Sequence, residues 1–559
     1  MGNPTVLQCI LIAVAAGIAM SVWVHLSVGA LFYVSPLMIG FVIGVIMRNV
    51  PEAMMISAGL QLVYMGVAAP GSIMPTAPTI ATAVAVPIAL AGRLSPAQAL
   101  AIAIPMGLLG TYLISLKFLV NSFTIHLADR FAEKLDDRGI TYSALILPGI
   151  LDMFVFAIPI FLVDYYGTPL ISSLLALLPQ SVLHALTITG AALPALGIAV
   201  LLMMITKGNL ALLAFYILSY FVVVMLKPLN VNVLVYAIIV TIVAYLYVTL
   251  RYRNVVEEGN ASPGVEGDNR KERDISKKSE TTNDNDIALT GKDIRNVWFR
   301  WMFSTELGKS YERQSGGAFL WSVIPVLRKL YKNNSDELRE AYKRHLTFFI
   351  TEHSFGGSIL GITVYLEEQR ARALAKGEEA SDPGIITSMK TGLMGPLAGI
   401  GDSLNVVTLR YLIIALAIPW AEVGSAMGFF FPLIVYPAIV LTYSFYLVRL
   451  GYKLGGQAMA ALLGGAQLKA VITGFSILGI MVMGFLTSSY VLVSTPLKWT
   501  ISGKLFELQP LLDKILPGIL SLLAVMLVYL YFQKKGFAIQ KALLGMVVIL
   551  FVFGIIGVL

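Results

Sequence analysis

His25 apart, no side chain of residues 1–47 can carry a full charge, because the first Lys, Arg, Asp or Glu of the sequence is Arg48. Further stretches without any of these four types cover residues 53–92, 165–206, 423–448, 470–497 and 542–559. About 20 apolar residues cross a bilayer as one helix, so several of these runs hold a span or a hairpin of two. Charged residues make up 13% of the chain, against roughly 25% in soluble domains. The solvent of this chain is lipid, and the fold class expected is an all-α polytopic membrane protein.

No basic segment precedes the first apolar run and no small-residue cleavage site follows it, so the N-terminus reads as a retained first span. Cys9 is the only cysteine, which excludes an internal disulfide and argues against a thiolate metal site. His25, His126, His184, His345 and His353 are too scattered to suggest a metal cluster, and no cofactor is expected. The net charge of +8 suits basic loops at a membrane face. No basic stripe interleaved with aromatics points to nucleic acid. Walker, HExxH and GxSxG elements are absent.

One polar segment divides the chain. Residues 251–290, RYRNVVEEGNASPGVEGDNRKERDISKKSETTNDNDIALT, have almost no large apolar side chains and read as a disordered tether. It separates a membrane half, 1–250, from a second half, 291–559. The second half opens on a mixed aromatic and charged stretch, 291–350, that cannot span and reads as amphipathic helices, with Ser335 and the acids after it as a helix start. Its membrane part follows over 351–559.

Each half contains an apolar stretch broken by Gly and Pro: GVAAPGSIMPTAPTIA at 66–81 and GLMGPLAGIGDSLNVVTLR at 392–410. Paired interruptions mark transporter binding sites, and irregular backbone at membrane depth survives only where protein covers it or a cavity wets it. The expectation is therefore re-entrant or discontinuous helices, one per half, meeting around a polar solute. Close helix packing at glycines is the alternative. Candidate contacts are Gln61, Ser72 and Thr76 in the first half. In the second they are Asp402, Ser403, Asn405 and Arg410, with Asp402 and Arg410 about two turns apart on one face. Asp402 could equally cap a helix. Asp152 is added as an acid at membrane depth; Asp164 is expected at a span end among headgroups.

Several motifs carry a resemblance. LTGKDIRNVWFRW, YERQSGGAF at 311–319, RHLTFFITEHSFGGSILGITVYLEEQRA at 344–371 and the 392–410 segment resemble the IID subunit of the mannose-family sugar phosphotransferase system. SPLMIGFVIGVIMRNVPEAMMISAGLQLVYMGVAAPGS and IHLADRFAEK at 125–134 look like its IIC partner. The resemblance implies two subunits joined in one chain: a bacterial plasma-membrane permease, a homotrimer, that binds a sugar and works with cytoplasmic IIB and IIA proteins. It also keeps the family's Thr351, and it makes Glu352 and His353, just before a Gly-rich helix start, further binding candidates near the cytoplasmic mouth. Phosphohistidines of the family reside on other proteins, so no phosphoryl-carrying residue is expected here.

The departures are local. Ser35 stands where IIC has Arg, Arg48-Asn49 replaces Gly-Asp, Gln61 replaces Glu, and Ala77 falls near a lost acid. In the IID part, Lys309-Ser310 replaces Trp-Asn and Ile350 replaces Asn. Arg48 beside the lost acids suggests either tolerance of an anionic sugar or a headgroup anchor. Two other functions stay open: an uncoupled secondary transporter or facilitator, and a membrane receptor that binds without moving its ligand.

Overall fold

A computed structural model describes the chain except for residues 1–2, 24, 66–75, 168–184, 186–187, 190, 207–209, 227–232, 253–287, 464–465, 502–503 and 537. Among the described residues five helices are long and apolar enough to cross a membrane: Pro96–Glu133, Asp137–Gly167, Pro383–Glu422, Met427–Gly455 and Thr473–Tyr490. Two bent helix pairs raise the number to seven. The all-α polytopic class is thus the observed one, and the strand content described is a single hairpin, Lys498–Ile501 against Lys504–Glu507.

Local sequence sets the boundaries. Ser95 accepts from the Gln98 amide while Gln98 reaches back to the Ser95 amide, with Pro96 next in line, so the 38-residue helix Pro96–Glu133 starts at a closed capping box. The helix His353–Lys376 begins at Glu352, whose carboxylate accepts from the amides of Ser354 and Phe355, and it ends at Gly377 in the left-handed region. The helix expected to start at Ser335 does so, but Asn334 supplies the capping oxygen, to the Glu337 amide. Ser335 is already the first helical residue.

Among the described residues two bends lie at places the sequence did not single out. Val28–Val34 and Pro36–Ile46 meet at 84° about Ser35. Gln61 Oε1 accepts from the Ser35 hydroxyl at 2.5 Å and from the Leu37 amide at 3.5 Å, which satisfies donors freed at that corner. In the second half the 78° bend joins Leu508–Ile515 to Ile519–Lys535. The segment 392–410, expected to be re-entrant, instead runs through an unbroken helix: α-helical over Pro383–Gly401, π-helical over Asp402–Leu409, and α-helical again over Arg410–Glu422. Widening by a π turn absorbs the local mismatch without leaving the helix. The hydroxyls of Ser403 and Thr408 add bonds to the carbonyls of Gly399 and Ser403. For the first interruption, the helix Val50–Tyr64 ends and the next begins at Pro78; residues 66–75 lie outside the described residues, as does most of 251–290.

Three amphipathic helices, Gly291–Ser304, Gly316–Leu330 and Ser335–His345, turn Trp301, Phe319 and Tyr342 inward and dock on the first half. Asp137 receives Arg328 at 2.9 Å and the Tyr342 hydroxyl at 2.7 Å, and Arg339 donates to the Glu133 carbonyl. Gly308, at φ +66°, lies so close to the Ala144 carbonyl that an added Cβ would sit 2.2 Å from it. The halves share one hydrophobic core.

Behind these helices, buried Glu367 accepts from Arg344 at 2.7 and 2.9 Å, from Tyr331 at 2.5 Å, and pairs with His345 at 2.7 Å. Burial works against the Glu367 charge, but the bonds from Arg344 and His345 hold its carboxyl well below the usual range. Burial pushes His345 down to about 4. A histidine buried neutral favours unfolding once its unfolded counterpart, near pH 6.5, takes up a proton. The expected outcome is a melting temperature that falls as pH drops from about 6.5 towards 4. Thermal melts across that window check it, and His345→Gln should flatten the slope.

Candidate functional site

Between the halves lies a cavity of about 250 Å³. That is just under the about 300–1,000 Å³ of pockets for drug-sized ligands, a size for something near a single sugar ring. The first half contributes His25 from the turn after the first helix, Tyr33 from the short arm of the 84° bend, and Lys117 and Phe118 from the long helix. The second half contributes Glu306 and Lys309 from the turn after Gly291–Ser304, the segment Ile350–His353, and one face of the Pro383–Glu422 helix. That face carries Met394, Gly395, Ala398, Asp402, Val406 and Arg410 at steps close to four residues, and the π turn keeps Asp402 and Arg410 on it.

The polar side chains of the wall are cross-braced. Glu352, at the cap of its helix, accepts from Asn405 Nδ2 at 2.7 Å and from the Ser354 hydroxyl at 2.7 Å, and lies 3.0 Å from His353 Nδ1. Trp301 donates to the His353 carbonyl at 2.7 Å. The His353 ring meets His25 edge to face at 4.3 Å, so one histidine from each half closes part of the cavity. Lys309 pairs with Glu306 at 2.7 Å. Lys117 donates to the Met20 carbonyl at 3.1 Å, lies 3.5 Å from Asp152, and sits 5.6 Å from the centroid of the Tyr33 ring. Asn121 then links Asp152, at 3.3 Å, to the Lys309 carbonyl, at 3.0 Å, so the buried pair is tied across to the second half.

Two buried donors on the lining, Thr351 Oγ1 and Arg410 Nε, have no hydrogen-bond partner among the described residues. Each such group costs about 1–3 kcal/mol unless something polar meets it. No ion pair joins Asp402 to Arg410, although both line the cavity. No group of His, Cys, Asp and Glu among the described residues could hold a metal ion.

Comparison with known proteins agrees with this layout. Residues 288–559 match the family described as the PTS system mannose/fructose/sorbose family IID component, and residues 6–246 match the sorbose-specific IIC component. The mannose-specific EIID component of Escherichia coli K12 is 35% identical over 254 residues, 44% of this chain and 87% of that protein. The chain belongs to the mannose/fructose/sorbose family of phosphotransferase-system permeases. The fructose permease IID component of Bacillus subtilis is 33% identical over 48% of this chain and 95% of its own length. The sorbose-specific EIIC component of Klebsiella pneumoniae is 26% identical over 41% of this chain and 85% of its own. A solved membrane-protein chain aligns at TM-score 0.44 and 33% identity, covering 48% of this chain and 98% of that one. Parts similar to IIC and IID are therefore joined in one multi-pass sugar permease.

Of the candidate residues, Thr351, Glu352, His353, Asp402 and Arg410 come together on this permease's cavity. Two stand behind it: Asp152 is fully buried against Lys117 and Asn121, and Asn405 is buried against Glu352. Ser403 does not line it and donates to the Gly399 carbonyl. Two are elsewhere: Gln61 is bound to the Ser35 corner, and Thr76 is buried without lining the cavity. Ser72 lies outside the described residues. Asp164, expected among headgroups, is fully buried in the π-helical end of its span. Arg48 is exposed at the end of the Pro36–Ile46 helix and is not among the residues that line the cavity.

Sequence reasoning missed His25, Tyr33, Lys117, Glu306 and Lys309. Lys117 was findable: it is a lone cation inside TYLISLKFLVNSF, where a charge at membrane depth is functional by default. Replacing Asp152 by Ala should strand the Lys117 ammonium and destabilise the permease by about 3–5 kcal/mol. The double change Lys117→Met with Asp152→Leu should restore the melting temperature but not sugar uptake. Thermal melts and uptake in vesicles, run on both variants, check the pair.

Proposed function

We propose that the cavity between the IIC-like and IID-like parts is the sugar site. In this reading the chain, as a homotrimer in a bacterial plasma membrane, passes a single neutral sugar ring to a cytoplasmic IIB protein that phosphorylates it on release. The observation that carries the reading is the pair of buried, unpartnered donors, Thr351 Oγ1 and Arg410 Nε, on the same lining as the Asp402 carboxylate. A sugar hydroxyl both donates and accepts. A carboxylate beside donors is therefore the set that a polyol satisfies, and the apolar stretch of Met394, Ala398 and Val406 offers a face for ring carbons.

Phosphoryl transfer is assigned to the partner because the family resemblance places the phosphohistidines on other proteins, and the two cavity histidines are buried against each other. Movement fits a rocking of the Pro383–Glu422 helix against the first half, since the cavity wall is split between them. Vesicles containing the purified permease test the reading. Labelled hexose should accumulate as its phosphate only when phosphorylated IIB is enclosed. Full-rate entry of free sugar without IIB would replace coupling by facilitation, and binding without flux would leave a receptor. Arg410→Met and Asp402→Asn should each weaken sugar binding by about 5- to 150-fold, the effect of about 1–3 kcal/mol per lost polar contact.

A further inference from the structure

The stretch 492–515 inverts the surface logic of a water-facing loop. It holds the Lys498–Ile501 and Lys504–Glu507 hairpin followed by the helix Leu508–Ile515, which bends 78° into the span-like helix Ile519–Lys535. Two of the three polar side chains of the short helix, Gln509 and Asp513, are half-buried and bond within the protein. Gln509 accepts from the Thr495 amide at 3.0 Å and donates to Asp513 at 3.1 Å, and Asp513 accepts from the Gly518 amide at 3.0 Å. Its apolar side chains face outward: Leu511 is 52% and Ile515 72% exposed, one turn apart on the same face. The hairpin does the same, with Trp499 directly opposite Phe506 in register and both side chains exposed.

We propose that this hairpin and short helix form an anchor lying in the lipid headgroup layer. Three features select lipid rather than water or another chain. Turning Gln509 and Asp513 inward while exposing leucine and isoleucine is costly in water but is what a bilayer boundary rewards. The bend is close to a right angle, so when Ile519–Lys535 runs along the bilayer normal the short helix lies nearly in the membrane plane. The helix beyond the bend also exposes Leu523, Leu527 and Leu530. Amphipathic helices of this kind sit about 5–10 Å into the headgroup and acyl boundary. Lys498 and Lys514, both exposed, can extend to phosphates. The Tyr220 hydroxyl donates to the Gly518 carbonyl at 2.7 Å and fixes the bend to the first half. The anchor would thus hold the last spans at a set depth while other helices move.

The test uses the full chain in nanodiscs of phosphatidylethanolamine and phosphatidylglycerol. Spin labels go on Leu511→Cys and Ile515→Cys in a Cys9→Ala background, with retained sugar uptake as the control for folding. Labels at both positions should collide more with oxygen than with a water-soluble nickel chelate, and a label at Lys514→Cys should show the reverse. Collision mainly with the nickel chelate at 511 and 515 would overturn the proposal by placing the helix in water. Labels shielded from both reagents and immobilised would overturn it by placing a second copy there. If labelled variants fail to fold, the difference in fluorescence between the unmodified chain and Trp499→Phe decides. Lipids brominated near the headgroup should quench that difference, and an unquenched difference would overturn the anchor.

Discussion

A Gly395→Trp permease should reach the membrane intact and move no sugar above the vesicle background. Gly395 lies on the cavity face of the Pro383–Glu422 helix, and an added Cβ there would meet nothing within 4 Å. The first atom of a side chain there therefore meets no neighbour. Glycine is also the weakest helix former after proline, so the exchange should gain rather than lose intrinsic helix stability, by roughly a few tenths of a kcal/mol. An indole ring projecting into about 250 Å³ leaves no space for a sugar ring beside it. Gly545→Trp supplies the control, because Gly545 also has nothing within 4 Å and does not line the cavity. Uptake by both variants, with a melting curve for each, separates occlusion from misfolding. Wild-type uptake by Gly395→Trp would remove the cavity from the pathway.

The second large effect belongs to Glu352. Its carboxylate caps a helix and receives Asn405, while Gly401 on the facing helix allows it to lie so close that a Cβ there would be 2.4 Å from Oε2. Glu352→Ala removes the cap, worth about 1 kcal/mol, and takes from buried Asn405 its shortest acceptor, leaving only the longer contacts to Ser354 Oγ at 3.3 Å and His353 Nε2 at 3.5 Å, a loss of about 1 kcal/mol more. The expected result is a lowered melting temperature together with loss of uptake. Glu352→Gln is the sharper test. Its amide oxygen can still serve the Ser354 and Phe355 amides, but its NH2 group would confront the Asn405 donor. Stability should stay closer to wild type while uptake is lost. If Glu352→Gln transports normally, the carboxylate is only a helix cap.

How much of this could be read without coordinates differs residue by residue. Asp402 and Arg410 were legible as one face because eight residues is about two helical turns, and the π turn between them kept that relation rather than breaking it. Gln61 was misleading. A lone amide in an apolar run signals a polar demand nearby, and the demand turned out to be the Ser35 corner rather than a ligand. Gly and Pro in 392–410 suggested a broken helix, yet a membrane helix tolerates both when hydroxyls and a wider turn take up the freed carbonyls. The contacts of His25 with His353 and of Asn121 with the Lys309 carbonyl join positions hundreds of residues apart, which no periodicity can encode.

The sequence by itself determined the solvent, the helical class, the amphipathic block that opens the second half, and the motifs that place the chain among mannose-family permeases. These follow from short-range facts: runs of uncharged residues, spacing along a helix, and local capping chemistry. Only the tertiary structure decided where the chain bends, which acids stand behind the cavity rather than on it, and that cations such as Lys117 and Lys309 belong to its wall. In lipid a buried charge must find its partner wherever the packing of helices presents one. Both that partner and the side of the helix that faces it are properties of the assembled bundle.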